Sequence, residues 1–117
     1  MTVQWIGPET PVDTTVRYVT RTGDVWQYAK TTLKPFPSTG LKVHRSELTG
    51  LTPGAEYIFQ IGKVSPFYRF RTMPAKATNT IQFVSGGDCG TGEHAIGTNI
   101  LAAKQEPQFA LLGGDLA

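Results

Sequence analysis

The sequence predicts two architectures in succession: an all-β, immunoglobulin-like antiparallel sandwich over residues 1–74, then a single βαβ unit over residues 81–117. Three observations carry this. Up to about Thr72, apolar and polar residues alternate with period two and are broken by Gly, Pro and Asp, as in short strands joined by turns. Residues 75–80, following Pro74, are small and polar and read as a linker. Beyond them the pattern becomes apolar strand, glycine-rich loop, helix and apolar strand, the order of a βαβ unit with parallel strands.

The β module begins with residues 2–7, where Val3 and Trp5 alternate against Thr2, Gln4 and Ile6 until Gly7-Pro8 stops the strand. Residues 15–21 place Val16 and Tyr18 on one face and Arg17, Val19 and Arg21 on the other. Thr22-Gly23-Asp24 supplies a turn, and residues 25–31 are expected to form a third strand. Residues 34–40, with Pro35 and Pro37, read as a loop, and residues 41–45 resume an extended pattern. Leu48 and Leu51 flank a corner, Pro53-Gly54 turns the chain, and Tyr57 opens the next strand. A tyrosine so placed can bury its ring and turn its hydroxyl back to the backbone near the corner, which makes Tyr57, Leu51 and Pro53 structural residues. A last strand lies within residues 66–72.

The run Leu-Thr-Pro-Gly-Ala-Glu-Tyr at 51–57, followed by Phe67-Tyr68-Arg69-Phe70, resembles fibronectin type III domains from Thr2 to about Pro74. The chain opens on what looks like that fold's second strand, so the first strand is expected to be missing and the N-terminus truncated. The aromatic residues are read as core. Trp5, Trp26, Tyr18 and Phe59 would suit a carbohydrate groove, yet nothing sets them apart from core positions. His44 has no second His, Cys or carboxylate at ligand spacing and is read as an ordinary surface histidine.

Composition narrows the classes. A chain of 117 residues suits one domain, or a small domain plus the start of another. A net charge of +2 is too small to argue for nucleic acid, and the basic residues are scattered along alternating segments, as on solvated sheet faces. A single cysteine, Cys89, excludes an internal disulfide framework. No apolar run approaches a membrane span, and no leader precedes the first strand; the expectation is an exported protein whose leader has been removed.

In the second segment, residues 81–85 are a short apolar strand, 86–92 a glycine-rich loop and 93–105 a helix. Ile96, Ile100, Leu101 and Ala103 share one helix face, with Gly97 costing about 1 kcal/mol relative to Ala. Residues 108–112 are a second strand, too apolar to be exposed on either face, and both strands expect covering layers. Each strand runs into Gly-Gly-Asp: Gly86-Gly87-Asp88 and Gly113-Gly114-Asp115. In a parallel sheet the functional loops lie beyond the carboxyl ends of the strands, so Asp88 and Asp115 project from one edge. Adjacent strands lie about 4.8 Å apart. Two carboxylates that close repel, and a cation between them removes the conflict. The pair is therefore a candidate metal site of the kind a two-metal hydrolase uses. Gly-Gly-Asp is also a common turn, and Asp88 could merely cap the following loop or helix. A phosphate-binding glycine loop fails on spacing and lacks Gly-Lys-Ser/Thr. His94, at the helix start, is read as exposed.

Together, a fibronectin-like module and then strand, Gly-Asp-Cys-Gly (87–90), helix, strand and Gly-Asp-Leu-Ala (114–117) resemble the purple acid phosphatases and their metallophosphoesterase relatives. The second stretch matches the first four positions of a Gly-Asp-x-x-Tyr motif. The resemblance implies that Asp88 ligates one metal, on the iron side, and that Asp115 bridges both. It implies a binuclear centre of iron with zinc, manganese or iron, and a metal-bound hydroxide attacking a phosphate monoester. The remainder of the catalytic domain would be the missing partner. It also implies a secreted or periplasmic protein, with no nucleic-acid or membrane partner. The iron-binding tyrosine and the later histidine motifs of the family are not among these residues, so no catalytic residue is assigned and the chain alone is expected to be inactive. Cys89 falls at a variable motif position and has no role. The rival readings are a fibronectin-like module for adhesion or carbohydrate contact, and a phosphodiesterase of the wider group.

Overall fold

The structure is a computed structural model of the chain and describes residues 1–9, 13–76, 80–88 and 90–114. Its contacts divide it into two compact units, Met1–Ala75 and Lys76–Ala117.

The first unit holds seven strands: β1 (Thr2–Gly7), β2 (Val16–Thr20), β3 (Gln27–Ala29), β4 (Thr31–Pro35), β5 (Lys42–Glu47), β6 (Glu56–Ile61) and β7 (Tyr68–Arg71). They form a three-stranded sheet in the order β1-β5-β4 and a four-stranded sheet in the order β3-β2-β6-β7. Every pairing within them is antiparallel. Alternation along each strand sends one side chain in two inward. Val3, Val16, Tyr18, Ala29, Leu48 and Tyr57 are buried there, with Trp5, Phe59 and Phe70 packed against them.

The expected third strand over 25–31 is in fact two. Its first part, β3, pairs with β2, and after Lys30 the chain crosses to the other sheet as β4 and pairs with β5. The Ser46 hydroxyl, fully buried, donates to the Lys30 carbonyl (3.1 Å) at this crossing. The expected loop at 34–40 therefore starts later, after Pro35. A proline fits here because β4 is an edge strand and Pro35 is its last residue. The last strand is also shorter than the sequence suggests, since Phe67 precedes it.

The corner at 48–57 is a turn with Pro53 and Gly54 at its centre. Gly54 has φ +72°, and the Ala55 N–H meets the Thr52 carbonyl at 3.4 Å, which is the residue preference of a type II turn. The Tyr57 ring is buried between Tyr18 and Phe70, and its hydroxyl accepts the Thr52 backbone N–H at 2.9 Å. Leu51 packs against the core, while Pro53 is exposed at the turn.

His44 is not a surface residue. It is 2% exposed, faces the core from β5 opposite Trp5, and stacks on that indole with centroids 5.0 Å apart. Neither ring nitrogen has a hydrogen-bond partner among the described residues. An unsatisfied buried polar group costs stability that an apolar group of similar size does not. His44→Leu is therefore expected to stabilise this unit by about 1 kcal/mol, read as a higher urea midpoint; a lower midpoint would mean that the imidazole is engaged.

The second unit holds β8 (Phe83–Gly86), α1 (Glu93–Lys104) and β9 (Phe109–Leu112), and β8 and β9 are parallel. Phe83 stacks on Phe109 at 5.2 Å. Gln82 fastens the start of the pair: its backbone N–H donates to the Gln108 side chain (2.8 Å) and its side-chain amide to the Gln105 carbonyl (2.9 Å). The apolar character of β9 does not bury it here. Leu112 is 59% exposed and Leu101 on the helix 63%, and Ala95 is the one buried residue of α1.

Candidate metal centre

The register pairs Gly86 with Leu112, so both strands release their loops at the same edge. The Gly113 N–H donates to the Gly86 carbonyl at 2.9 Å and draws the two loops together one residue further on. There the backbones touch: a Cβ on Gly87 would overlap the Gly113 carbonyl. Glycine at 87 is thus a packing requirement as well as a turn signal. The sequence indicated the turn, but not the partner that makes the glycine necessary.

Asp88 follows in the left-handed region, φ +49°, which aspartate tolerates better than most residues. Its carboxylate leans over the second loop, and a Cβ on Gly114 (φ +69°) would lie 2.9 Å from Asp88 Oδ1. Gly114 is the residue before Asp115 in the sequence. Asp115 and Cys89 lie outside the described residues. Helix capping does not account for Asp88. The N-cap of α1 is Gly92, extended at φ −77° and ψ 178°, and among the described residues no side chain caps the helix. Asp88 is exposed, a hard oxygen donor at the edge where parallel sheets place their ligands.

Among the described residues no group of three or more His, Cys, Asp or Glu gathers into a ligand set. His94 is exposed on the first turn of α1, where its carbonyl accepts the Thr98 hydroxyl (2.9 Å). Chemically, the edge offers one placed carboxylate beside a second loop that is kept open by glycines.

Comparison with characterised proteins returns no match. The family profile for the purple acid phosphatase N-terminal domain matches residues 1–72, most of the chain and nearly all of the first unit. The corner at Tyr57 falls inside that match and Asp88 falls beyond it. By that match, and with seven strands arranged in two antiparallel sheets, the chain belongs to the purple acid phosphatase N-terminal domain family.

Proposed function

We propose that the chain is the N-terminal part of a two-metal phosphatase, in which the sandwich precedes the first βαβ unit of the hydrolytic domain. One observation carries this reading: the Asp88 carboxylate reaches across to Gly114, the residue before Asp115. Together with Asp88, a carboxylate from Asp115 would complete a hard-oxygen donor set whose repulsion a cation relieves. Asp88 would hold one ion, on the iron side, and Asp115 would bridge to a second ion of zinc, manganese or iron. When bound, the ions supply a nucleophile at moderate pH and neutralise charge on the phosphoryl oxygens. Gly113 adds no side chain where its backbone faces open space among the described residues, which leaves room for phosphoryl oxygens to approach the edge. In the whole enzyme, water adds to phosphorus, the ester P–O bond breaks, and the alcohol leaves with its proton from a group outside these residues. The reading places the protein outside the cytoplasm, secreted or periplasmic.

The test uses the 117-residue chain. In a Mn²⁺ titration followed by NMR, line broadening is expected to concentrate at residues flanking Asp88 and after Gly113, and to disappear there in Asp88→Asn. Nitrophenyl phosphate is expected to remain unhydrolysed by this chain. Broadening spread evenly over surface carboxylates and unchanged in Asp88→Asn would refute the assignment.

A further inference from the structure

The four-stranded sheet turns one face to the core and the other outward, and the outward face gathers charge that is dispersed in the sequence. Val16 and Tyr18 point inward on β2, so Arg17 and Arg21 point outward; on β7 Phe70 points inward and leaves Arg69 and Arg71 outward. The register sets Arg17 against Gln60 and Arg71 against Glu56, across β6. Glu56 is the one outward carboxylate on these strands. Its Oε2 lies 2.9 Å from Arg21 Nη1 and 3.9 Å from Arg71 Nη2, and Arg21 beside it holds its carboxyl below the usual range. Four arginines against one glutamate leave an excess of three positive charges on a flat face.

One end of this face is built rather than merely solvated. The Arg17 guanidinium carbon lies 4.8 Å from the Trp26 ring centre and 5.7 Å from that of Phe67. Its Nε donates to Gln60 Oε1 (2.8 Å), and the Gln60 amide, itself only 6% exposed, donates to the Ser65 carbonyl (2.8 Å). Arg17 is thereby fixed as a cation beside a contacting pair of rings, Trp26 and Phe67 (centroids 6.2 Å apart), and an exposed ring, Tyr28, stands opposite it on β3. Trp26 and Phe67 thus work on the outer surface, where core packing was the expectation.

We propose that this face docks an acidic polysaccharide, an inference independent of the metal site. Charge complementarity requires an anionic occupant, and the planar forks of arginine favour carboxylates taken in pairs. Arg17 lies on β2 and Arg21 directly after it, Arg69 and Arg71 lie on β7, and the two strands are about 10 Å apart across the intervening β6. A ligand touching both crosses the strands and is held by its pendant acid groups. A polypeptide pairing with the edge of β7 would leave β2 uncovered. The exposed rings beside Arg17 offer apolar faces to sugar C–H groups.

The test titrates the 117-residue chain with polygalacturonate, neutral dextran and polyglutamate at low salt, where surface electrostatics are least screened. Polygalacturonate is expected to bind. Its affinity should fall at least tenfold in Arg69→Gln/Arg71→Gln and several-fold in Phe67→Ala. Arg21→Gln serves as an independent charge variant on the other strand, with an unchanged urea midpoint as the control for folding. Dextran binding equal to polygalacturonate would overturn the proposal. Indifference to all the arginine variants would do the same. Polyglutamate binding as tight and unaffected by Phe67→Ala would identify an acidic polypeptide instead.

Discussion

Tyr57→Ala is expected to lower the stability of the first unit by about 3–5 kcal/mol, the usual cost of emptying a large aromatic site. Small domains hold about 5–15 kcal/mol in total, so the variant will be close to unfolding. The ring is 1% exposed and lies between Tyr18 and Phe70, with centroids at 6.3 and 5.4 Å, so its loss opens a cavity in the middle of the core. Tyr57→Phe isolates the other half of the interaction. The hydroxyl accepts the Thr52 N–H, but Thr52 is exposed and its N–H can turn to water, so the cost should be only about 1 kcal/mol. Both tryptophans, Trp5 and Trp26, belong to this unit, so urea denaturation followed by tryptophan fluorescence measures it alone. Equal midpoints for the two variants would show that ring burial contributes little.

The second large effect is expected at Gly87. Gly87→Ala places a methyl group on the Gly113 carbonyl, and that carbonyl cannot retreat cheaply because its own residue's N–H is tied to Gly86. The loops should separate, with the Gly113 amide exchanging at least tenfold faster and Mn²⁺ broadening near Asp88 reduced. Gly113→Ala is the matched control, since among the described residues nothing lies within 4 Å of a Cβ built there. Its amide should change little. Amide exchange by NMR reads both variants; similar exchange in the two would mean that the loop approach is not what holds the edge together.

How far the sequence reached follows from which signals are local. Period-two alternation was enough to place β1 and β2 and their inward residues, because each strand reports its own faces. The corner was legible as well: Pro53, Gly54 and Tyr57 lie within five residues, and turn chemistry acts at that range. The crossing at Lys30 was not legible. Pro35 and Pro37 signalled a break, and only the position of β4 at a sheet edge makes Pro35 acceptable in a strand. His44 failed for a related reason. Its burial depends on the register that sets it against Trp5, a residue 39 positions earlier. The arginine cluster is likewise a product of cross-strand register. In the second unit the Gly-Asp spacing pointed to the sheet edge, but the collision that requires Gly87 is with a residue 26 positions away.

Helix α1 has a consequence of its own. Twelve residues is about the length at which an isolated helix is only marginal in water, because the cost of nucleating the first turn is spread over too few hydrogen bonds. Gly97 at its middle raises that cost, and one buried alanine returns little of it. Helicity in this segment is therefore a sensitive readout of neighbours. Any element that covers Ile96, Ile100 and Leu101 would supply the free energy the helix lacks by itself. Ordering the helix and docking that element would then be one cooperative step, visible as a single rise in ellipticity.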